Sequence, residues 1–424
     1  MKSLIWTTEK RKVKDLIPYE LNPRKITEEQ AKKLTESLKR FNLVEIPAID
    51  TDNKILAGHQ RVATLLILGR GNEEIDVRLP NRRLTKEEFE KYNLISNRVT
   101  GEWNYEILKD FNIETLLETG FDDSDLSYIF DQSLGVEDDE FETSKEIIKI
   151  KNPKTKTGDL IIFEDGVLCC GDGTDPEVVN KLTRNNKINL INIDPPYNIG
   201  LDYNNGFRTR GKYGGTTLDN KSDTEYREFL KNLLQNSLDH TYPNFHCFLW
   251  ADERYIGMIQ SLYSELGIDN KRVCLWIKNS QNPTPQIAFS KCYEACVYGV
   301  VGKPYLSPSV HNSNEVMNKE IGTGNRLPDD IMDTFNIWLV KRLNTQDYSH
   351  PTEKPASLYE KALRRCSKPG DTILDLTAGS GALMSACIQL RRRFLLCEIE
   401  PIFCDLIVER YRRLTGKEPK YVNP

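Results

Sequence analysis

The chain has 424 residues, more than one ordinary domain holds, and points to two or three. Hydrophobic residues at 38% and charged residues at 29% exclude wholesale disorder. Lys and Arg total 58 against 63 Asp and Glu, a net charge of -5, which excludes a general cationic coat for nucleic acid but not a local basic channel.

Ten cysteines and five histidines show no Cys-x-x-Cys pair and no Cys followed by His at ligand spacing, so no metal site is expected. The thiols read as reduced, small core residues. The start, Met1-Lys2-Ser3-Leu4-Ile5-Trp6, turns polar at once, unlike a secretory leader. Apolar runs such as 63–68 are too short to cross a bilayer. The expectation is a cytoplasmic protein with no membrane partner.

In chain order, 13–17 predicts a short strand or entry turn. A helix begins at Thr27, with Leu34, Leu38 and Phe41 on one face. Strands follow at 46–49 and 55–57, the second ending at Gly58, and His59 opens a helix that stops at Gly69. Helical patterns lie at 85–96, 104–110, 113–118 and 124–130. Between Glu137 and Glu146 six acids face one Lys, a self-repelling stretch that predicts a linker over 134–150. The expected domains are therefore 1–133 and 151–424. In the second, 160–163 and 167–170 predict a hairpin around Asp165-Gly166. Strands at 188–193, 245–250, 273–277, 294–300, 372–376 and 394–398 alternate with helices at 224–238, 255–266, 357–366, 381–390 and 401–414. That alternation predicts an α/β sheet with helices on both faces.

Two strand ends carry chemistry. The first runs from Leu190-Ile191-Asn192-Ile193 into Asp194-Pro195-Pro196-Tyr197. Two prolines stiffen the backbone and remove two N–H groups, leaving carbonyl acceptors beside a carboxylate and an aromatic ring. That set suits a planar base with an exocyclic amine. Asp194 and the Pro195 carbonyl would accept its two hydrogens, and Tyr197 would stack on the ring. A proline-stiffened turn with an ordinary capping Asp is the bland alternative. The second end leads from Asp375 through Leu376 into Thr377-Ala378-Gly379-Ser380-Gly381 and a helix. Its glycines allow a ligand close to the backbone. One strand later, Glu398 stands where an acid would hold ribose hydroxyls. No Walker Lys follows the glycines, so adenosine on a neutral or cationic group fits better than a triphosphate.

Together these residues resemble the amino-group DNA methyltransferases that use S-adenosylmethionine, and the order, base motif first and cofactor glycines last, resembles their β class. Gly171-Asp172 is similar to the family's adenine-contacting Gly-Asp. Trp276-Ile277-Lys278-Asn279 and Tyr293-Glu294 resemble later strands. His350-Pro351-Thr352-Glu353-Lys354-Pro355 resembles the segment that helps bind the methionine end. Asp375-Leu376-Thr377 departs from the family's usual Asp-Pro-Phe. The resemblance, over about 155 to 415, implies a Rossmann-like methyltransferase sheet. It implies a catalytic Asp194-Pro195-Pro196-Tyr197 and cofactor contacts from Asp172, Thr352, Lys354, Asp375, Thr377, Ala378, Gly379, Gly381 and Glu398. It implies methylation of adenine N6 in double-stranded DNA by base flipping. Ser more often replaces the Asp in enzymes that modify cytosine N4, which remains the nearest alternative. The Gly-rich stretch 199–222 carries Arg208, Arg210, Lys212 and Lys221 against two acids and is expected to contact DNA. Residues 303–349 form a polar insertion, a second place for sequence recognition.

Asn22-Pro23-Arg24, the helix through Leu38, and Gly58-His59-Gln60-Arg61 resemble the ParB/sulfiredoxin-like domain, over about 11 to 130. The resemblance implies a smaller α+β domain ahead of the sheet and a nucleotide at Gly58-His59-Gln60-Arg61, where helix N–H groups and an Arg can hold phosphate. Thr100 stands where the partition proteins carry an Arg in their second nucleotide box. A turn that only preserves the fold is the alternative. β-class resemblance also makes a homodimer compatible. A reading of another class is a nucleotide-switched DNA-binding protein whose methylase half is a silent platform.

Overall fold

A computed structural model describes residues 4–25, 28–97, 102–122, 125–126, 128–132, 136–139, 141, 143–200, 219–282, 288, 291–307, 336–338, 340 and 354–422. The chain divides into two compact units, 1–133 and 134–424.

In the first unit, strands β1 (Trp6–Lys12), β2 (Arg24–Lys25), β3 (Ala48–Ile49), β4 (Ile55–Ala57), β5 (Glu74–Pro80) and β6 (Glu102–Trp103) form two sheets. The larger has the order β1-β5-β3-β4, with β1 antiparallel and β3 parallel to β5; β2 pairs with β6. Helices Glu28–Phe41 and His59–Ile67 contribute Leu38, Val62 and Leu65 to a core that also holds Val13, Ile49, Ile55, Ile75 and Val77. Four strands escape the sequence reading: the two-residue β2 and β6, and the longer β5 and β1. β5 alternates Ile75 and Val77 inward with charges outward. β1 is an edge strand, largely exposed, whose Glu and Lys residues discourage further pairing and leave no apolar period. The strand or turn expected at 13–17 is a 3-10 turn over Val13–Asp15. The helix expected at 124–130 is in part a π-helical turn, Tyr128–Gln132.

The acidic stretch expected to be a linker belongs to the second unit and packs within it. Val136, Phe141 and Ile147 are buried, and helix Thr143–Lys149 forms within it. Its acids do not merely repel one another, because distant partners neutralise them: Asp139 meets Arg410 at 2.6 Å and Glu146 meets Arg413 at 2.6 Å.

The second unit is a ten-stranded sheet built from β7 (Leu160–Ile162), β8 (Gly166–Cys170), β9 (Ile188–Ile193), β10 (Thr241–Ala251), β11 (Asp269–Asn282), β12 (Lys291–Val301), β13 (Ile337–Trp338), β14 (Thr372–Asp375), β15 (Arg393–Glu398) and β16 (Lys420–Val422). The order is β13-β11-β12-β10-β9-β14-β15-β8-β7-β16. The five central strands, β10 to β8, run parallel, and antiparallel pairs flank them. Parallel strands need helices on both faces, which explains their nearly continuous apolar runs. Leu190, Trp250, Ile373 and Leu396 point to one core, with helices Ser357–Cys366, Ala382–Gln389 and Pro401–Thr415. Ile191, Leu249, Leu374 and Leu395 point to the other, with helices Pro176–Thr183, Asp223–Leu238 and Ile256–Glu265. Helix Pro176–Thr183 was not anticipated, although Pro176 at its first turn and Asp175, which accepts from the Glu177 N–H at 2.9 Å, are start signals.

β9 and β14 are neighbours, yet their following helices lie on opposite faces of the sheet. The chain therefore diverges beyond their carboxyl ends and opens a crevice there, the place where α/β sheets receive ligands. All ten cysteines are free thiols, nine of them buried. Among the described residues no His, Cys, Asp and Glu group could hold a metal, and no helix is long and apolar enough to cross a membrane.

Candidate functional site

Asp194 follows β9 directly, and the two prolines turn the chain so that Tyr197 folds back beside it. The Tyr197 hydroxyl lies 2.9 Å from Asp194 Oδ1 and 3.1 Å from Glu294 Oε2, from β12, which share its one proton. Lys354 enters from the segment before helix Ser357–Cys366. Its Nζ donates to Asp194 Oδ2 at 2.5 Å and to the Tyr197 oxygen at 2.8 Å, and lies 3.2 Å from Glu294. The ammonium also sits over the rings of Trp250, at 4.9 Å, and Tyr197, at 5.0 Å. Lys278, from β11, closes the set with an ion pair to Glu294. Two cations and two carboxylates thus balance in a site where the Lys354 side chain is 4% exposed and that of Asp194 20%.

Burial raises the Asp194 carboxyl, and Lys354 offsets this only in part. Glu294 behaves oppositely: burial pushes it up, but Lys354 and Lys278 outweigh that and hold it at about 2. Burial works against the charge on Lys354, yet Asp194 and Glu294 keep its pKa above the ordinary value. Burial and the two neighbouring carboxylates drive Tyr197 far upward, so it stays a neutral donor. Glu294 is the fixed charge, and Asp194 is the carboxylate whose proton affinity is open to change.

The backbone around this cluster is fastened. The Pro196 carbonyl accepts from the Tyr226 hydroxyl at 2.8 Å, and Trp250 Nε1 donates to Asn192 Oδ1 at 3.1 Å. Just beyond, the Asn198 N–H donates to Asp219 Oδ1 at 2.6 Å, the Ile199 N–H to Asp219 Oδ2 at 3.1 Å, and the Lys221 N–H to Asn198 Oδ1 at 2.7 Å. These bonds tie together the two ends of the stretch in which Arg208, Arg210 and Lys212 lie; those three are outside the described residues.

The neighbouring strand ends form an acidic groove. Asp375 Oδ1 accepts from the Thr377 N–H at 2.9 Å, and Glu398 Oε2 accepts from the Gly379 N–H at 2.8 Å. The Ala378 N–H is bound to the Cys397 carbonyl at 3.0 Å, which presses the turn onto β15. Gly379 and Gly381 have φ of +54° and +81°, the left-handed region that favours glycine, and a Cβ at Gly379 would meet no atom within 4 Å. Gly171 donates to the Glu398 carbonyl at 2.9 Å, which brings exposed Asp172 to the same rim. Burial lifts Asp375 to about 8 and Glu398 to about 7. Among the described residues neither has a cationic partner. Such a groove suits a cation and hydroxyl donors, and disfavours a phosphate.

Of the residues singled out from sequence, the structure gathers Asp194, Pro195, Pro196, Tyr197 and Lys354 at one place, and Asp375, Thr377, Ala378, Gly379, Gly381, Glu398 and Asp172 along the adjoining strand ends. Lys354, expected at the cofactor, bonds to Asp194 and Tyr197. Thr352 lies outside the described residues. Glu294 and Lys278 carried no assigned role, though a carboxylate amid the apolar run of β12 was a signal for a buried partner. In the first unit, Gly58 has φ of +95° and a Cβ there would meet Pro47 at 3.2 Å, so the backbone itself demands glycine. His59 Nε2 accepts from the Tyr19 N–H at 3.2 Å, burial lowers the ring to about 4, and Arg61 forms an ion pair with Glu45. Gln60 follows in the first turn of the same helix.

Residues 188–409 match the profile of a family described as DNA methylase, the N6/N4 methyltransferases. The chain is 26% identical over 242 residues to Type II methyltransferase M.HpaI of Haemophilus parainfluenzae, covering 53% of this chain and 68% of that one. It is 24% identical over 232 residues to Type II methyltransferase M2.DpnII of Streptococcus pneumoniae, covering 53% and 82%. Among solved structures it is similar to the M1.HpyAVI-SAM complex, with a TM-score of 0.39 and 19% identity, covering 57% of this chain and 98% of that one.

Proposed function

Because the chain belongs to the DNA methylase family of N6/N4 methyltransferases, we propose that it methylates adenine N6 in duplex DNA at the crevice between β9 and β14. The observation that carries this reading is the placement of the Asp194–Tyr197–Lys354–Glu294 cluster beside the acidic groove of Asp375 and Glu398. The cofactor is S-adenosylmethionine. When bound, it supplies an electrophilic methyl on a sulfonium leaving group. Glu398 would hold its ribose hydroxyls, Asp375 would face its cationic end, Asp172 would meet its adenine, and the Thr377-Ala378-Gly379 backbone would line its site.

The exocyclic amine of adenine is a poor nucleophile, since its lone pair is delocalised into the ring. Asp194 and the Pro195 carbonyl accept its two N–H bonds and favour a pyramidal nitrogen, whose growing positive charge Asp194 then stabilises. The new N–C bond leaves a proton surplus on nitrogen, and Asp194, raised by burial, takes that proton and passes it to water. Lys354 and Glu294 keep Asp194 and Tyr197 in register, so little rearrangement is needed at the moment of attack. Tyr197, tied down by its hydroxyl, offers its ring to a base flipped out of the duplex. A carboxylate at 194 favours adenine over cytosine N4. DNA extracted from cells that express the chain is expected to contain N6-methyladenine on nucleoside mass analysis; N4-methylcytosine in its place would transfer the reading to cytosine.

Cofactor binding carries a pH signature. Glu398 at about 7 and Asp375 at about 8 are largely protonated at pH 6 and must ionise to accept from hydroxyl and ammonium donors. S-adenosylmethionine affinity is expected to rise by about tenfold or more between pH 6 and 8.5, read by calorimetry, and Glu398→Gln should flatten the lower step. The cofactor-free fold has the opposite slope. Both groups sit above their unfolded values, so the native state holds more protons, and stability falls as pH rises from about 4 to 8.

The first unit is proposed as a ParB/sulfiredoxin-like accessory domain for DNA or a partner. The left-handed Gly58, the half-buried His59 with its lowered pKa and the paired Arg61 favour a fold-preserving turn over a phosphate site. Arg208, Arg210 and Lys212 are proposed to contact the DNA backbone.

A further inference from the structure

The glycine turn has no side chains at 379 and 381 to stiffen it, so its order must come from outside. Glu398 holds Gly379 from the groove. From behind, Arg410, 1% exposed, donates through Nη1 to the Ser380 carbonyl at 3.2 Å and to its hydroxyl at 3.3 Å. Arg410 is itself fixed by Asp139: Nε donates to Oδ2 and Nη2 to Oδ1, both at 2.6 Å, a planar two-point clamp. Asp139 Oδ2 also accepts from the Ser385 hydroxyl at 3.3 Å, one turn beyond the glycines.

The residue before it does the same for the other half of the site. Asp138 Oδ1 accepts from the Ser357 N–H at 2.8 Å and Oδ2 from its hydroxyl at 2.9 Å. Ser357 starts the helix that follows Lys354 by three residues. Glu137 sets the register: its N–H donates to Gln389 Oε1 at 2.9 Å, and its carbonyl accepts from Gln389 Nε2 at 2.9 Å.

We infer that residues 137–139 form a positioning strap of the methyl-transfer site, in which Asp139, through Arg410, shapes the Ser380 turn for the methyl donor and Asp138, through Ser357, places Lys354 against Asp194. The inference rests on the reading of that turn as the S-adenosylmethionine site. Neither acid touches a reacting group, so their effects differ in kind from those of Asp194. Losing the Asp139 charge removes the two-point clamp on a buried guanidinium, and the turn it holds drifts. Losing Asp138 frees the helix start and, with it, Lys354.

Two adjacent carboxylates should therefore affect different constants. In the full chain, Asp139→Asn is expected to raise the S-adenosylmethionine Kd by about tenfold or more while kcat at saturating donor changes less than about threefold. Asp139→Glu should recover most of the affinity. Arg410→Lys, which keeps the buried cation but loses the fork, should repeat the Kd defect. Asp138→Asn should leave Kd within about twofold and lower kcat instead. Kd by calorimetry, kcat on duplex DNA and a denaturant melt of each variant make the comparison. Unchanged Kd in both Asp139→Asn and Arg410→Lys, with wild-type binding intact, overturns the strap alone. Parallel losses of stability, Kd and kcat in both Asp variants overturn it too, since a plain fold brace acts that way. A wild-type chain that does not bind S-adenosylmethionine overturns the functional reading and the strap with it.

Discussion

Asp194→Ala is expected to lower single-turnover methyl transfer by about 10³-fold or more while S-adenosylmethionine binds as before. The carboxylate is the acceptor closest to the developing charge, and no neighbour replaces it. Glu294 is held ionised but is committed to Lys278 and Lys354. The Tyr197 hydroxyl, driven far above its ordinary pKa, cannot serve as an anion. The cofactor groove depends on Asp375 and Glu398, on other strands, so affinity for the donor should survive. The fold should survive as well, because Lys354 keeps Glu294 as a counter-ion at 3.2 Å. A variant that retains more than a tenth of the wild-type rate would remove Asp194 from the chemistry.

Lys354→Met should damage both stability and rate. Its ammonium is the shared counter-ion of Asp194 and Glu294, and methionine leaves two carboxylates facing each other in a dry site. Breaking a buried pair from one side costs about 3–5 kcal/mol, read by chemical denaturation. The sign of the pH dependence identifies the cause. Without the lysine Asp194, already raised, is pushed further above its unfolded value, while Glu294 keeps Lys278. The variant then holds extra protons when native, and its stability falls as pH rises above about 4. The deficit against wild type should therefore be larger at pH 8 than at pH 5. Glu294→Gln on the Lys354→Met background should return part of the stability, since one of the two repelling charges is gone. Turnover should drop by about 10²-fold, because Asp194 and Tyr197 lose their common anchor. Equal deficits at pH 5 and pH 8 would assign the loss to packing on Trp250 and Tyr197 rather than to charge.

Contiguity separates what was legible in the sequence from what was not. Asp194-Pro195-Pro196-Tyr197 and the turn from Asp375 to Gly381 are short runs at strand ends, and a local run with a local chemical meaning can be read directly. The helices of the second unit read nearly as well, since apolar residues three and four apart have one interpretation when sheets alternate with them. Non-local charge pairing was hidden. Lys354 and Asp194 are 160 positions apart, and Asp139 and Arg410 are 271 apart. The acids of 137–146 look self-repelling until Ser357, Arg410 and Arg413 are brought to them, and composition alone therefore suggests a linker. β1 was hidden for another reason. An edge strand with charged residues on its exposed face has no period for the eye to follow, and its place is set by pairing to β5.

The Asp194 cluster and the Asp375–Glu398 groove are proposed to act as one site on the amine of a DNA base. The most direct test follows labelled methyl from S-adenosylmethionine into unmethylated duplex DNA, with the wild-type chain and Asp194→Ala side by side and donor binding measured on both. Label in N6-methyladenine is expected with the wild-type chain, none with the variant, and equal donor affinity. Label that persists in the variant, or a wild-type chain that binds the donor and leaves every duplex unlabelled, would contradict that proposal.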